Sequence, residues 1–479
     1  MMTQTATENV AQKDMAHNFD PQILREYDIR GQVDKNLSET DAYYVGRGFG
    51  TFLKRRGGTR VCVGYDGRES SPLYCARVIE GLTDCGLIVE NVGLGPSPML
   101  YFAVKDHMAD GGIMITGSHN PSDYNGFKMT LQSSPVFGSL IQDIGALVAA
   151  GDFESGAGRA REIDIQNDYI DRILRDLDVD LTNTKIAWDC GNGATGEIVR
   201  RLTSRLNGKH ILLFDEIDGN FPNHHPDPTV DENLQDLIAL VRAEKCDFGV
   251  AFDGDGDRIG VVDEKGNVLR CDLLLGIYAK DVLEEHPGAP IIGDVKCSQV
   301  LFDEIARLGG EPVMWKTGHS LIKDKMAQLK APLAGELSGH IFFNDKWYGF
   351  DDAVYCAIRL MNCVCEAGAA MSSLTAHMPV MFNTPEVRFE VDEAHKFELI
   401  EKISDSVRVL GQNDAAMHID DIDGVRVVTQ DGWWLLRASN TQNVLVTRAE
   451  AKTQEALDRL KKMVITEVEK VGYDVVFPQ

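Results

Sequence analysis

The chain has 479 residues, 43% of them hydrophobic and 25% charged, which is typical of a folded globular protein and excludes a disordered or fibrous one. Because a domain usually takes about 100 to 200 residues, this length predicts three or four domains. The 74 Asp and Glu residues exceed the 48 Lys and Arg residues, and the formal charge of -26 repels nucleic acid and anionic membranes, so neither is expected as a partner.

At the start of the chain, residues 1–16 are predicted to be a mobile leader. The first residues lack the basic start and the apolar core of a secretory signal. No later stretch approaches roughly 18 consecutive apolar residues, the length of a membrane-spanning helix. The ten cysteines include no CxxC pair, which argues against a structural zinc site or a disulfide framework. These features predict a cytoplasmic protein, and none of them implies a protein partner.

Three stretches share a strand, loop and helix plan: RVCVGYDGRESSPLYCARVIEGL (60–82), KIAWDCGNGATGEIVRRLTSRL (185–206) and PIIGDVKCSQVLFDEIARLGG (290–310). In each, an apolar strand leads to an aspartate, which is Asp66, Asp189 or Asp294, and then to a polar loop and an amphipathic helix. Open α/β sheets bind ligands at the C-terminal ends of such strands. The repeat therefore predicts three related α/β domains.

From about residue 383 the pattern changes to alternating strands, one helix and several turns, which predicts a smaller α+β domain. The predicted fold is therefore three related mixed α/β domains followed by a C-terminal α+β domain. The predicted bounds are 17–165 for domain 1, 166–267 for domain 2, 268–382 for domain 3 and 383–479 for domain 4.

In domain 1, the stretch GGIMITGSHNPSDYNGFKMT (111–130) predicts a buried strand that ends in a loop holding Ser118. A lone serine in a loop is most often an ordinary hydroxyl or a helix N-cap. A hydrolase would need a base, and His119 is a poor candidate because neighbouring side chains of an extended loop diverge; the GxSxG elbow is also absent. A phosphate carrier fits better, with Lys128 as a nearby cation or proton-transfer group.

In domain 2, the stretch DFGVAFDGDGDRIGVVDEKG (247–266) places Asp253, Asp255 and Asp257 in alternation with glycines between two apolar strands. The glycines allow a turn tight enough for three carboxylates to converge on one hard cation. Without a cation the carboxylates would repel one another. An EF-hand fails because Arg258 stands where that loop requires glycine. The pattern predicts a divalent metal site and favours Mg²⁺, which would also neutralise a phosphate on the serine.

In domain 3, the stretch GELSGH (335–340) places Glu336 and Ser338 two residues apart, so that both side chains project to one face of an extended segment. They could hydrogen-bond sugar hydroxyls, or the segment could be an ordinary turn. The stretch NHHPDP (223–228), with adjacent histidines and two prolines, favours a rigid connecting loop over a metal site.

In domain 4, the stretch RASNTQNVLVTRAE (437–450) offers a guanidinium, hydroxyls and backbone N–H groups, which are the usual ligands of a phosphate. An ordinary turn is the alternative. The candidate phosphate ligands are Arg437, Ser439, Asn440 and Thr441. Arg448 either joins them or pairs with Glu450. Of Trp433 and Trp434, in the preceding apolar strand, one is predicted to be in the core.

Five motifs in this order, TGSHNP, DGDGDR, KTGHS, GELSGH and RASNT, are together very specific, and the sequence resembles the α-D-phosphohexomutase family from REYDIRG (25–31) to the C-terminal domain. Within that family it most resembles the phosphomannomutase/phosphoglucomutase branch. The resemblance implies four domains around a central cleft, with one loop from each domain. It implies a phosphoprotein of carbohydrate metabolism, an isomerase that is an intramolecular phosphotransferase.

The resemblance also assigns residues. Ser118 would be the phosphoserine, and it would hold Mg²⁺ together with Asp253, Asp255 and Asp257. Glu336 and Ser338 would contact sugar hydroxyls. The phosphate that does not react would be gripped by Arg437, Ser439, Asn440 and Thr441. The positions that match residues lining the family's cleft are Tyr27, Arg30, Lys128, Arg258, Lys296 and His319.

The implied reaction interconverts hexose 1-phosphates and hexose 6-phosphates, of mannose, glucose or both, through phosphoserine and a hexose 1,6-bisphosphate. Hexose 1,6-bisphosphate, such as glucose 1,6-bisphosphate, is the implied activator, and small hexose phosphates are the implied partners. Arg258 would neutralise the transferring group, while Lys128 and His319 would transfer protons.

Leu337 and Asn440 favour mannose and glucose over glucosamine, since the glucosamine branch of the family commonly has Gln and Gly there. One departure concerns Gln442 and Asn443, which replace the proline that the family usually has after RASNT, and the loss of that proline loosens the loop. The alternatives are a phosphoglucosamine mutase, a non-catalytic phosphosugar-binding protein, and a metal-dependent phosphatase in which water attacks the phosphoserine.

Overall fold

A computed structural model describes residues 15–392, 395–412, 416–440 and 443–477. Most of the predicted leader, residues 1–14, therefore lies outside the described residues. The described strands form four sheets that follow one another along the chain. No helix in these ranges combines the length and the apolar character that crossing a membrane requires.

The first sheet is mixed and has six strands. The strands are β1 (Ile29–Gln32), β2 (Arg60–Tyr65), β3 (Ile88–Leu94), β4 (Gly111–Ile115), β5 (Tyr124–Leu131) and β6 (Arg159–Glu162), and the helices that accompany them are α1 (Glu39–Lys54), α2 (Ser71–Asp84), α3 (Ser97–Asp106) and α4 (Ser139–Ala150). The spatial order is β1-β5-β4-β2-β3-β6. A capping box between Ser38 and Asp41 starts α1, because each side chain accepts a hydrogen bond from the other residue's backbone N–H.

The second sheet has five strands in the order β11-β10-β9-β7-β8. They are β7 (Lys185–Asp189), β8 (Lys209–Leu213), β9 (Phe248–Phe252), β10 (Ile259–Asp263) and β11 (Val268–Leu269), and their helices are α5 (Gln166–Leu174), α6 (Gly196–Thr203) and α7 (Gln235–Glu244). β9 and β10 are buried along their whole length, as the apolar runs on either side of the three aspartates predicted.

The third sheet has four strands in the order β13-β12-β14-β15. They are β12 (Pro290–Asp294), β13 (Glu311–Trp315), β14 (Leu333–Gly335) and β15 (Ile341–Phe343), and their helices are α8 (Cys271–Glu285), α9 (Gln299–Arg307), α10 (His319–Leu329) and α11 (Ala353–Ala367). Short 3-10 helices occur at Pro21–Ile23, Asp231–Leu234 and Met371–Ser373.

The first three sheets share one arrangement of four strands, namely β5-β4-β2-β3, β10-β9-β7-β8 and β15-β14-β12-β13. In each, the strand that ends at the repeated aspartate is parallel to both its neighbours. The first strand of each set, which is β5, β10 or β15, is antiparallel to its neighbour. The prediction of three related α/β domains is confirmed. The loops β4–β5, β9–β10 and β14–β15 consequently occupy equivalent positions, and these are the loops with Ser118, the three aspartates, and Glu336 with Ser338.

The fourth sheet is antiparallel, with the order β16-β21-β20-β19-β18 and with β17 also paired to β21. Its strands are β16 (Phe382–Asn383), β17 (Val387–Glu390), β18 (His418–Asp420), β19 (Val425–Val428), β20 (Gly432–Ala438) and β21 (Val444–Ala451), and its helices are α12 (Lys396–Gly411) and α13 (Gln454–Lys470). This is the predicted α+β domain.

Both tryptophans of β20 are buried, although only one was predicted to be in the core. Successive side chains of a strand point to opposite faces of the sheet. Trp434 packs in a core formed with α12 and α13, while Trp433 packs with Val295 of domain 3. Domain 4 therefore presents its second face to domain 3. The largest apolar cluster of the described residues includes parts of domains 1, 2 and 3, and each of these domains also has a smaller cluster of its own.

Candidate active site

A cleft of about 980 Å³ opens where the four domains meet. Its lining includes predicted site residues from every domain: Tyr27, Arg30, Ser118, Lys128, Arg258, Lys296, His319, Glu336, Ser338, Arg437, Ser439 and Asn440. Asp253 lies behind Ser118 and is fully buried, as are Asp255 and Asp257. Thr441 and Gln442 lie outside the described residues. The structure thus brings together residues that are up to about 400 positions apart in the sequence, such as Tyr27 and Asn440.

Ser118 occupies a strained turn between β4 and β5. It is 2% exposed, and its φ is +48°, in the left-handed region that residues other than glycine rarely adopt. Its backbone N–H donates to Thr116 Oγ1 at 2.7 Å, and its Oγ donates to Asp253 Oδ2 at 3.0 Å. The hydroxyl therefore points at the loop with the three aspartates.

His119 lies closer to the serine than its sequence position suggested. His119 Nδ1 is 3.1 Å from Ser118 Oγ, so the expectation that the two side chains diverge was wrong. That expectation assumed an extended backbone, whereas the left-handed φ of Ser118 turns the two side chains together. Burial, with the nearby Arg258 cation, lowers the pKa of His119 well below its ordinary value. Among the described residues, no carboxylate hydrogen-bonds this ring, so the pair lacks the third member of a hydrolase triad.

The three aspartates between β9 and β10 converge, since one carboxylate oxygen from each lies within 4.8 Å of the others. Backbone N–H groups within the loop organise it, because those of Asp257 and Arg258 donate to Asp253 Oδ1 at 3.0 and 3.1 Å. Gly254 is required where the loop meets the serine loop, because a Cβ there would lie 2.4 Å from the Ser118 carbonyl oxygen. Sequence spacing alone predicted this convergence.

The charge of this cluster fits one divalent cation. Lys128 Nζ donates to Asp255 Oδ2 at 2.7 Å and to Asp257 Oδ2 at 2.5 Å. Three carboxylates and one ammonium leave two negative charges. The second oxygens of Asp255 and Asp257 are buried with no hydrogen-bond partner. Burial and the neighbouring carboxylates raise the pKa of Asp253 well above its ordinary value. Oxygen donors of this kind suit Mg²⁺, so the residues present fit the predicted metal.

Lys128 is held as a cation. Burial alone would lower its pKa, but the carboxylates of Asp255 and Asp257 raise the pKa well above its ordinary value. An ammonium between two carboxylates is a poor proton acceptor. Of the two predicted roles of Lys128, the geometry favours the cation.

His340 is a residue of the site that the sequence analysis missed, although it ends the GELSGH motif. Arg258 Nε donates to His340 Nε2 at 3.0 Å, and a guanidinium N–H is always a donor, so Nε2 carries no proton. His340 Nδ1 lies 3.1 Å from Asp351 Oδ2, and Lys323 Nζ donates to Asp351 Oδ1 at 3.0 Å. Asp351, from a segment with no motif, thus orients His340.

His319, predicted for proton transfer, packs against His340 with ring centroids 5.4 Å apart. Burial, together with the Lys323 ammonium, lowers the pKa of His319 well below its ordinary value. The ring is consequently neutral near pH 7. A neutral imidazole in the cleft can accept a proton.

The loop of Thr317 and Gly318 contacts the predicted sugar loop (335–340) directly, and it contacts the predicted phosphate loop, which begins at Arg437, through Tyr27. Glu336 Oε1 accepts a hydrogen bond from Gly318 N at 2.6 Å, and burial raises the pKa of Glu336. Tyr27 OH donates to Thr317 O at 3.0 Å and accepts from Asn440 Nδ2 at 2.7 Å. Tyr27 of domain 1 therefore ties a loop of domain 3 to the phosphate loop of domain 4.

Arg437 is fixed by Asp423, which the sequence analysis did not identify. Arg437 Nε donates to Asp423 Oδ2 at 2.9 Å, and the same oxygen accepts from Thr317 N at 3.0 Å. Arg437 lines the cleft, and the ion pair with Asp423 uses only its Nε. That geometry suits bidentate binding of an anion.

Arg448 does not pair with Glu450, so that alternative was wrong, but it lines the cleft together with Arg437, and its membership of the phosphate-binding residues stays a prediction. Its Nη1 donates to the Lys296 carbonyl oxygen. Glu450 instead accepts from Trp433 Nε1 at 2.9 Å. The face of domain 4 that carries these residues packs against the loop of Lys296, which is why the sequence partner of Arg448 is not its structural partner.

Two other sequence features lie near the cleft. His224, in the NHHPDP stretch, contacts Asp189 at 3.1 Å, and His225 of that stretch lines the cleft. Arg30 Nη1 donates to Asn120 Oδ1 at 2.6 Å, which attaches this predicted substrate ligand to the loop of Ser118.

Comparison with known proteins assigns each part of the chain. Four family models match in sequence: phosphoglucomutase/phosphomannomutase alpha/beta/alpha domain I at 21–155, domain II at 167–266, domain III at 270–381, and the C-terminal domain at 386–467. The phosphomannomutase/phosphoglucomutase of Pseudomonas aeruginosa is 44% identical over 95% of this chain and 97% of its own. A phosphoglucomutase of Neisseria gonorrhoeae is 42% identical over 92% of this chain and 95% of its own.

Among solved structures, a phosphoglucomutase/phosphomannomutase family protein from Burkholderia thailandensis superposes with a TM-score of 0.89. It is 40% identical, and the match covers 96% of this chain and 100% of the other. The likeness therefore extends over all four domains rather than over one motif.

Proposed function

The chain belongs to the phosphoglucomutase/phosphomannomutase family and is a hexose-phosphate mutase, and we propose that Ser118 is the residue that carries its phosphoryl group. One observation carries this proposal. Ser118 Oγ lies at the bottom of the cleft, 3.0 Å from Asp253 Oδ2 of a cluster whose charge calls for a divalent cation. A serine ester of phosphate at that position would be held between the cation site and the sugar.

The proposed reaction has two transfers. Phosphorylated Ser118 passes its phosphoryl group to the free hydroxyl of a hexose monophosphate, giving a hexose 1,6-bisphosphate; a base takes the proton of that hydroxyl, and the departing Ser118 oxygen takes up a proton. The intermediate then turns over in the cleft, and its other phosphate returns to the Ser118 hydroxyl as that sugar oxygen regains a proton. Phosphate moves between O1 and O6 with no net hydrolysis. Added glucose 1,6-bisphosphate would activate the enzyme by phosphorylating the serine.

Asp253, Asp255 and Asp257 would hold Mg²⁺, which supplies positive charge at the transferring phosphoryl group when it is bound. The protein adds its own cations around the same point. Lys128 is fixed beside two of the carboxylates, and Arg258 is oriented by His340. These cations also explain how a chain with a charge of -26 binds an anionic substrate, because screening limits the repulsion of distant charges to a range of about 8 Å.

Proton transfer requires a neutral group facing the sugar. His319 meets this condition, whereas the Nε2 lone pair of His340 is already engaged by the Arg258 Nε–H. Lys128 is better suited to stabilise charge than to transfer a proton, because the carboxylates of Asp255 and Asp257 raise the pKa of its ammonium. We therefore assign acceptance of the hydroxyl proton to His319 and retain Lys128 as a cation.

The remaining loops position the sugar. Glu336 and Ser338 bind hydroxyls, while Arg437, Ser439 and Asn440 bind the phosphate that does not react, together with Thr441. The sugar must bind in two opposite orientations. The loop with Arg437 therefore has to recognise a phosphate dianion rather than one hydroxyl. Mannose and glucose phosphates are the proposed substrates, since Leu337 and Asn440 match that branch of the family.

Replacement of Arg437 by alanine tests the phosphate grip. A charged hydrogen bond contributes about 1.5 to 3 kcal/mol, so we expect the KM for glucose 1-phosphate to rise by roughly 10- to 100-fold. Arg408→Ala is the matched control, because Arg408 is an exposed arginine of the same domain that pairs with Asp405 and Asp421. A KM that rises equally in both variants, or in neither, would rule out the proposed role of Arg437.

A further inference from the structure

Arg68 is a buried arginine beneath the Ser118 loop, with 1% of its surface exposed. A guanidinium has five N–H groups, and each of them is used here. Nε donates to Asp66 Oδ2 at 3.1 Å. The other four donate to backbone carbonyl oxygens of the loop, which belong to Ser118 and Asn120 at 2.7 Å each, Pro121 at 2.5 Å and Tyr124 at 2.9 Å. One side chain therefore holds four carbonyl groups of the loop.

Asp66, the repeated aspartate of domain 1, fixes the other side of the serine. Its Oδ2 accepts from Thr116 Oγ1 at 2.8 Å and from Gly117 N at 3.2 Å. Thr116 Oγ1 in turn accepts from Ser118 N at 2.7 Å. Asp66 and Arg68 thus hold the backbone immediately before and after the serine.

The hydrogen bonds of Asp66 and Arg68 hold Ser118 in a backbone conformation that it would not adopt by itself. The left-handed φ of Ser118 is costly for a residue with a Cβ and persists only where surrounding contacts impose it. The same φ directs Ser118 Oγ to Asp253. If the hydrogen bonds of Arg68 were lost, the loop could relax and carry the hydroxyl away from the metal loop.

The equivalent aspartate of domain 3 also reaches its own functional loops. Asp294 Oδ2 accepts from Thr317 Oγ1 at 3.2 Å, and its Oδ1 lies 3.5 Å from Leu337 N. The residue two positions after the aspartate differs between the repeats, because it is Gly191 in domain 2 and Lys296 in domain 3. Of the three domains, domain 1 thus has Arg68 at this position, and the Arg68 guanidinium lies beneath the Ser118 loop.

We propose that Arg68 and Asp66 are positioning residues that impose the conformation of Ser118 required for phosphoryl transfer. The proposal rests on the carrier role of Ser118. It predicts a specific kinetic effect, because a loop that moves affects the transfer step and leaves intact the substrate-binding residues that domains 3 and 4 contribute. A residue that only stabilised domain 1 would lower the melting temperature without changing kcat of the folded enzyme.

Arg68→Lys is the first test, since it keeps the charge and loses the planar fork. We expect kcat for glucose 1-phosphate isomerisation to fall by about 100-fold, as a displacement of about 1 Å can cause, with KM unchanged. Arg47→Lys is the matched control. Arg47 is equally buried in domain 1, but it donates to Glu154 O at 3.2 Å and to Cys85 Sγ at 3.7 Å, away from the serine loop. It should lose thermal stability and keep its kcat.

A milder pair of variants decides the matter if Arg68→Lys does not fold. Thr116→Val removes the hydroxyl between Asp66 and Ser118 N at nearly constant volume, and Thr116→Ser restores that hydroxyl. We expect kcat to fall in the valine variant and to recover in the serine variant, again at constant KM. A full kcat in folded Arg68→Lys or in Thr116→Val would overturn the proposal. An inactive wild type, or a wild type that takes no phosphoryl group on Ser118, would instead contradict the proposed function.

Discussion

Replacement of Ser118 by alanine is expected to lower kcat for isomerisation by at least about 10⁴-fold, a loss of the size seen when a nucleophile is removed. The reason is chemical: without the hydroxyl, no phosphoryl group can be stored between the two transfers. The fold should remain, because within the described ranges Ser118 Oγ hydrogen-bonds only to Asp253 and His119. The measurement is 6-phosphate formation from glucose 1-phosphate with glucose 1,6-bisphosphate present, together with the melting temperature.

Ser122→Ala is the control for this variant. Ser122 is an exposed serine of the same loop, four residues further along the chain. It should keep wild-type activity and take up a phosphoryl group on Ser118, which intact-mass measurement detects. A well-folded Ser118→Ala protein that still isomerises the substrate would eliminate Ser118 as the carrier.

Replacement of Asp257 by asparagine is expected to remove the response of the protein to Mg²⁺. The variant keeps the shape of the side chain but leaves two carboxylates beside Lys128, so the net charge of the cluster falls from two negative charges to one. In the wild type, a ligand at about 100 times its Kd stabilises the folded state by about 2.7 kcal/mol, which raises Tm. In Asp257→Asn, the same Mg²⁺ concentration should leave Tm unchanged and support little isomerisation.

Asp236→Asn makes the same chemical change at an exposed carboxylate of domain 2 that does not line the cleft, and this control should show the wild-type rise in Tm. Chelation of divalent cations should abolish isomerisation by the wild type, and added Mg²⁺ should restore it. An equal Mg²⁺-dependent rise in Tm for Asp257→Asn and the wild type would place the cation elsewhere.

The sequence predicted those parts of the site that lie within one loop. Asp253, Asp255 and Asp257 converge because their spacing and the intervening glycines determine a local turn, and Ser118 follows a recognisable buried strand. The repeated aspartates indicated three related βα units. Equivalent loops in equivalent sheets then explain why the serine, the metal loop and the sugar loop face one cleft.

Contacts between separate loops, and between domains, could not be predicted in the same way. Asp351 orients His340 although 11 positions separate them and no motif includes Asp351. Arg448 contacts Lys296 because two domain surfaces happen to meet there, which no local pattern encodes. The position of His119 beside Ser118 depends on one positive φ, which the hydrogen bonds of Arg68 and Asp66 impose from outside the loop.

The proposed mutase mechanism is tested most directly by a single assay that measures both isomer formation and release of inorganic phosphate. Mannose 1-phosphate, glucose 1-phosphate and glucosamine 1-phosphate would each be given to the enzyme with Mg²⁺ and a trace of glucose 1,6-bisphosphate. We expect comparable formation of 6-phosphates from the mannose and glucose substrates, well in excess of released phosphate. Phosphate release that exceeds isomer formation would identify a phosphatase, a preference for glucosamine would reverse the assigned specificity, and no turnover of any substrate would contradict the mutase mechanism itself.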